Sequence, residues 1–133
     1  MSAPEPTYLQ TLADECVELV SRQFGRRLDW SPQSLSALDE VCADLLADGP
    51  LADERLDRWW QLIGAYTGEV AIRAYGGEWV EHHTSPGVPA VSALGVTGFP
   101  FGLAARVLAG EPYKSLASFV HALPAIAERT KRD

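Results

Sequence analysis

A carboxylate set inside an apolar helical stretch is the group in this sequence best placed to do chemistry. Glu69 stands between Gly68 and Val70, with Tyr66 one turn before it and Arg73 one turn after. A charge on such a face is either paired or used, because burying it alone is costly. Paired, through a hydrogen bond or an ion pair, it pins the helix to the strand, and Arg73 is a helical-spacing partner. Used, it is a general base or the acidic wall of a ligand pocket. Tyr66, Glu69, Arg73 and the downstream Trp79 are therefore the ligand-binding candidates. The structural pairing is the preferred reading, since ion pairs are a commoner reason for a buried acid than catalysis.

The segment Glu78-Trp79-Val80-Glu81-His82-His83 alternates like a strand. Alternation puts Trp79, Glu81 and His83 on one face, with Glu78, Val80 and His82 on the other. Glu81 and His83, with Glu69 as a third ligand, would make a chemically sensible zinc set. The sequence contains no H-E-x-x-H and no paired C-x-x-C. A solvated strand face is preferred, and no metal or other cofactor is expected. His121, among Phe119, Val120 and Leu123, reads as a hydrogen-bonded structural histidine. Cys16 continues the stripe Leu9, Leu12, Leu19, and Cys42 lies beside Val41 between Leu38 and Leu45. Both read as buried free thiols, although an inter-helix disulfide stays open. A Cys-His hydrolase needs an accessible thiolate, which buried stripes do not offer. Neither G-x-S-x-G nor a dinucleotide fingerprint occurs, and Gly95-Val96-Thr97-Gly98 lacks the lysine of a phosphate loop. No catalytic residue is assigned.

Trp59 and Trp60 are adjacent on a helix, where successive residues turn by about 100°. They cannot face the same way, so one points to a second packing layer or to solvent. An exposed tryptophan is a common anchor for a protein partner, which makes this pair the partner-binding candidates. The formal charge of −7 argues against phosphate backbones and anionic membrane surfaces as partners. Arg26-Arg27 is too small a basic cluster to reverse that. The first residues show no secretory pattern, and no apolar run approaches spanning length, so a cytoplasmic location is expected. The preference for Arg over Lys and the abundance of Ala suggest a GC-rich bacterial coding sequence.

These residues must be positioned by elements that the pattern also predicts. The length of 133 residues, 47% of them hydrophobic and 22% charged, suits one globular domain able to bury a core without disulfides. A helix is expected from Thr7 to Phe24, ended by Gly25. A second starts at Ser31-Pro32, a hydroxyl cap followed by proline, and ends at Asp48-Gly49-Pro50. A long central helix runs from near Asp53 to Gly76-Gly77. Within it, Gly64 and Gly68 lie on one face, each at a cost of about 1 kcal/mol relative to alanine. That cost implies close approach of another backbone. The strand at Glu78, a turn at Thr84-Ser85-Pro86-Gly87 and a second extended segment from Val88 to Val96 give a small antiparallel sheet. Pro100 opens a further helix and Ser115 caps a last one, which Pro124 should kink or restart.

The block Ile63-Gly64-Ala65-Tyr66-Thr67-Gly68-Glu69-Val70, followed by Gly76-Gly77-Glu78-Trp79, the Pro100-Phe101 helix start and the Ser115-Leu116 helix, resembles a bacterial family of uncharacterised α+β domains. Its pattern is G-x-Y-x-G-E on a helix, G-G-x-W on the next strand and a Pro-Phe helix entry. The resemblance covers roughly the C-terminal two-thirds of the chain. Thr67 stands where the family carries an aliphatic residue. The resemblance implies architecture and lends no reaction.

The expected fold is thus α+β: two amphipathic helices, a long central helix, a small antiparallel sheet (hairpin), then two C-terminal helices. One domain spans 7–129, between a flexible start at 1–6 and a flexible tail at 130–133. The leading functional expectation is a non-enzymatic protein-interaction or regulatory module. The alternative is a small-ligand-binding domain or enzyme with a pocket around Glu69. Nothing in the sequence selects an oligomeric state.

Overall fold

Apolar residues at three- and four-residue steps become buried helix stripes. The computed structural model describes residues 6–132 apart from Ser85. In α1 (Pro6–Phe24) the inward positions are Leu9, Ala13, Cys16 and Val20, flanked by half-buried Leu12 and Leu19. In α2 (Ser34–Leu45) they are Leu35, Leu38, Val41, Cys42 and Leu45. Helix α2 starts three residues later than Ser31 suggested, because 31–33 form a turn first. Ser31 still acts as a cap: its Oγ accepts the Ser34 N–H at 3.2 Å. Cys16 and Cys42 are buried free thiols, and burial is the main force pushing the Cys42 pKa up to about 12.

Helix α3 (Asp53–Tyr75) is the centre of the molecule, packing against α1, α4 (Pro100–Leu108) and the sheet. Every residue from Leu62 to Ala71 is buried, so neighbours surround this stretch on all sides. It ends where expected: Gly76 takes a left-handed conformation at φ 71° and its N–H bonds the Ile72 carbonyl, the geometry glycine adopts without steric cost.

The sheet differs from expectation in one respect. The segment from Val88 is not one strand but two: β2 (Pro89–Ala93) and β3 (Val96–Gly98), joined by a two-residue turn at Leu94-Gly95. Both turn residues have positive φ, 57° and 77°, the mirror-image turn that suits the twist of a hairpin. Leucine is an unusual residue there, which is why the turn was hidden in the sequence. With β1 (Glu78–Glu81) the three strands form an antiparallel meander in the order β1-β2-β3.

Helix α5 (Leu116–Arg132) is not restarted at Pro124; it runs through it. Proline lacks the N–H that would bond the Val120 carbonyl four residues back. That carbonyl instead accepts the Tyr75 hydroxyl at 3.1 Å, so α3 repairs the gap in α5. The helix also continues to Arg132, beyond the expected end at 129. The expected flexible start lies mostly outside the described residues, as does Asp133, and Pro6 is already helical. Ser115 caps α5 as predicted, through its Oγ to the Ser118 N–H at 3.2 Å. It has an unforeseen helper. Asp39, from α2, accepts the Leu116 N–H at 2.8 Å, the Ala117 N–H at 3.2 Å and the Ser115 hydroxyl at 2.8 Å. A carboxylate at a helix N-terminus satisfies orphan donors and complements the helix dipole. No helix among the described residues is long and apolar enough to cross a membrane.

Candidate functional site

Trp60, Gly64 and Gly68 follow one another at four-residue steps along α3, and the two glycines are notches for rings. A Cβ on Gly64 would lie 2.6 Å from a Phe101 ring carbon. A Cβ on Gly68 would collide with the Trp79 indole. The close approach inferred for these glycines is therefore real, but it comes mainly from aromatic rings rather than a second backbone. Trp60 meets Phe101 edge-on at 5.8 Å, and Phe101 meets Trp79 at 5.9 Å. Three rings thus line up along the stripe.

Of the four pocket candidates, Glu69, Arg73 and Trp79 meet directly, whereas Tyr66 is linked to Arg73 only through Trp30, and each has an internal partner. Glu69, 8% exposed, accepts the Trp79 indole N–H at 2.7 Å. Its other oxygen lies 3.9 Å from Arg73 Nε. Trp79 is therefore the main partner and Arg73 the lesser one, and the hydrogen bond ties α3 to the strand. Arg73 also donates to Gln10 at 3.1 Å, and its guanidinium carbon lies over the Trp30 ring, 3.8 Å from the centroid. The Tyr66 hydroxyl accepts the Trp30 N–H at 2.9 Å and shares a 2.6 Å bond with Ser34 Oγ. Burial pushes the Tyr66 phenol above its ordinary pKa, opposed by those two bonds. Four cavities lined by described residues all lie elsewhere. Glu69 is a latch between α3 and β1.

Glu81 and His83 are not brought together as the strand alternation implied. β1 ends at Glu81, and His83 lies in the turn beyond it. There its ring stacks on His82 with centroids 4.4 Å apart, so the two histidines do not occupy opposite faces. Among the described residues no group of three or more His, Cys, Asp or Glu side chains is arranged to hold a metal. His121 is exposed rather than a core residue, and borders a shallow cavity between α2 and α5.

The two tryptophans do diverge. Trp59 is buried, edge-on to Phe24 at 6.0 Å. Trp60 is half-buried, its indole N–H donating to Asp57 at 3.3 Å. Its outer side opens on a groove of about 250 Å³. Leu9, Leu12 and Phe101 join Trp60 in lining it, and Tyr8, Val88 and Pro89 form the walls. Tyr8 is 56% exposed and Val88 39%, so the apolar surface continues from the groove onto its rim. Gln61 and the Tyr8 hydroxyl supply the polar groups among otherwise apolar lining residues. The sequence signalled Trp60 through its adjacency to Trp59, but not the walls, which come from α1 and the β1–β2 connection.

The likeness to solved structures is one of fold. A crystal structure of a protein from Bacteroides thetaiotaomicron VPI-5482 superposes with a TM-score of 0.60 at 19% identity, covering 86% of this chain. This chain spans 41% of that one. No protein-family model and no curated protein matches the sequence. The arrangement of helices and meander therefore recurs in another protein, while the groove must be read from its own residues.

Proposed function

We propose that this chain is a non-enzymatic protein-interaction module whose contact surface is the Trp60 groove. The observation that carries the reading is an apolar groove floored by a half-buried tryptophan and walled by exposed Tyr8 and Val88. Soluble domains seldom leave such surface open without a partner, and aromatic anchors in pockets dominate binding energy at protein interfaces. Apart from the Tyr8 phenol the lining residues carry no ionisable side chain, which favours recognition over a reaction. The Glu69 region supports the same reading, because its polar groups are taken up by Trp79, Arg73, Trp30 and Ser34. The net charge of −7 disfavours nucleic acid and anionic membranes as the partner. We also propose kinship with the family whose motif is G-x-Y-x-G-E and G-G-x-W. In this chain Tyr66, Gly68, Glu69 and Trp79 make the interlock of α3 with its neighbours, which gives that pattern a structural reason.

Affinity capture from the native host tests the function, with the wild-type chain and the rim variants Tyr8→Arg and Val88→Asp carried side by side. Both positions are exposed, so the fold should stay intact, as circular dichroism would verify. The reading expects a protein that the wild type retains and both variants lose, with the loss reproduced using purified components. Retention of the same proteins by all three chains would rule the groove out as the contact surface.

A further inference from the structure

Tyr113 is the aromatic side chain that the fold leaves entirely outside. It is 103% exposed, against 56% for Tyr8, the next most exposed large apolar residue described. It sits in the Glu111-Pro112-Tyr113-Lys114 turn between α4 and α5 at φ 65°, a conformation that a residue with a Cβ disfavours. Strain kept where the side chain buries nothing points to a use outside the molecule. Both ends of the turn are held: the Glu111 N–H donates to the Arg106 carbonyl at 3.2 Å, and the Ser115 hydroxyl to Asp39 at 2.8 Å. The ring is thus presented from a fixed base, which lessens the entropy lost when it is bound. The Trp60 groove is the matching hollow. Its lining residues carry no carboxylate, ammonium, guanidinium or imidazole group. A charge buried there would find no counter-charge, so charge complementarity asks for an uncharged occupant. The Gln61 amide and the Tyr8 hydroxyl can each donate and accept. An apolar body with a hydroxyl tip suits both the floor and these groups, and a tyrosine has that form. Tyr113 does not fill the groove of its own chain. Phe101, in the first turn of α4, lines the hollow, whereas Tyr113 lies beyond the last turn, roughly 14 Å along the helix.

We propose that the occupant of the groove is a second copy of this chain, which inserts Tyr113 against Trp60 with its hydroxyl on the Gln61 amide. The inference rests on the groove reading above and names the partner. Knob and hollow lie at opposite ends of α4, so the copies join head to tail rather than about a two-fold axis, and further copies can add at the free ends. The contact centres on one side chain and is smaller than a standard interface, so association is weak and shows at high concentration.

Sedimentation velocity of the full chain from about 10 μM to about 1 mM is the test, a range suited to a small contact. The average mass of the wild type should rise with concentration. Tyr113→Ser and Val88→Arg should each stay monomeric, and Tyr113→Phe should keep the association in weakened form. Both positions are exposed, so circular dichroism should show an unchanged fold. Val88→Arg also makes the chain less acidic, so its loss of association could not come from charge repulsion. A mixture of Tyr113→Ser with Val88→Arg should associate again but stop at a pair, since the first supplies an intact groove and the second an intact tyrosine. A wild type that stays monomeric throughout would overturn the proposal, and so would a mixture that fails to pair. Association that survives Tyr113→Ser but not Val88→Arg would overturn Tyr113 as the occupant and leave the groove reading standing. Association lost in Tyr113→Ser yet complete in Val88→Arg would overturn the groove as its receptor. Tyr113→Ser leaves the groove itself unaltered, so a monomeric wild type that still captures a groove-dependent protein would separate failure of this inference from failure of the groove reading.

Discussion

Replacing Gly68 by alanine puts a methyl group where the Trp79 indole now lies. In an ordinary exposed helix position this change stabilises by about 1 kcal/mol, since alanine is the better helix former. Here the added Cβ meets the ring inside contact distance, and the helix backbone cannot yield without moving the buried stretch from Leu62 to Ala71. The ring must shift, and overfilling a core site costs about 1–3 kcal/mol. A shifted ring also loses its bond to Glu69, 2.7 Å long and buried, and hydrogen bonds to charged groups contribute about 1.5–3 kcal/mol. The three effects sum to a net destabilisation of about 3 kcal/mol. For a chain of this size that lowers the melting temperature by roughly 10 °C. Thermal and urea unfolding followed by circular dichroism measure it. Gly102→Ala in α4 is the control: Gly102 is exposed, and its nearest neighbour atom would be 3.9 Å from the new Cβ. It should be neutral or stabilising. Trp79→Leu completes a double-mutant cycle, and in that background the Gly68→Ala penalty should vanish. A Gly68→Ala protein as stable as the wild type, or a penalty that persists without the indole, would refute the notch argument.

Asp39→Ala strips the first turn of α5 of its carboxylate acceptor and leaves the Leu116 and Ala117 N–H groups to find water. A loss of about 2 kcal/mol in urea unfolding is expected, at the upper end for a cap because two backbone donors are involved. Leu94→Gly relieves a leucine held at φ 57° on an exposed turn. The left-handed conformation costs a non-glycine residue about 1 kcal/mol, so the variant should melt a few degrees higher, and a lower melting temperature would contradict the turn assignment. Cys16 and Cys42 should resist a thiol reagent at pH 8, because burial raises both pKa values far above that pH. Both should label at the rate of global unfolding, and fast labelling of either in the native protein would show that its helix opens locally.

Much of the fold was legible in the residues one element at a time. Helices α1, α2 and α3 follow from the recurrence of Leu, Val and Cys at helical spacing, and Gly76 marks the end of α3 because only glycine enters the left-handed conformation freely. The cost of Gly64 and Gly68 inside a helix announced close contacts before any partner was visible. The 100° step between residues required Trp59 and Trp60 to part. All of these are local consequences of covalent geometry and side-chain type. The rest depended on which distant residues met. A tie from Glu69 to the strand and a helical-spacing contact with Arg73 could both be expected, but that the strand's donor is the Trp79 indole was decided only when β1 folded against the glycine stripe. Pro124 looked like a break until Tyr75, from another helix, supplied the missing donor. Leu94 concealed a hairpin turn because its side chain disfavours the conformation that the flanking strands impose. Of the groove only Trp60 had a signature in the chain: the floor comes from α3, and the walls from α1 and the β1–β2 connection had none. Sequence pattern determined the helices and their inward faces, whereas only the packing of α1, α3 and the sheet decided which polar groups were consumed and which apolar surface stayed open.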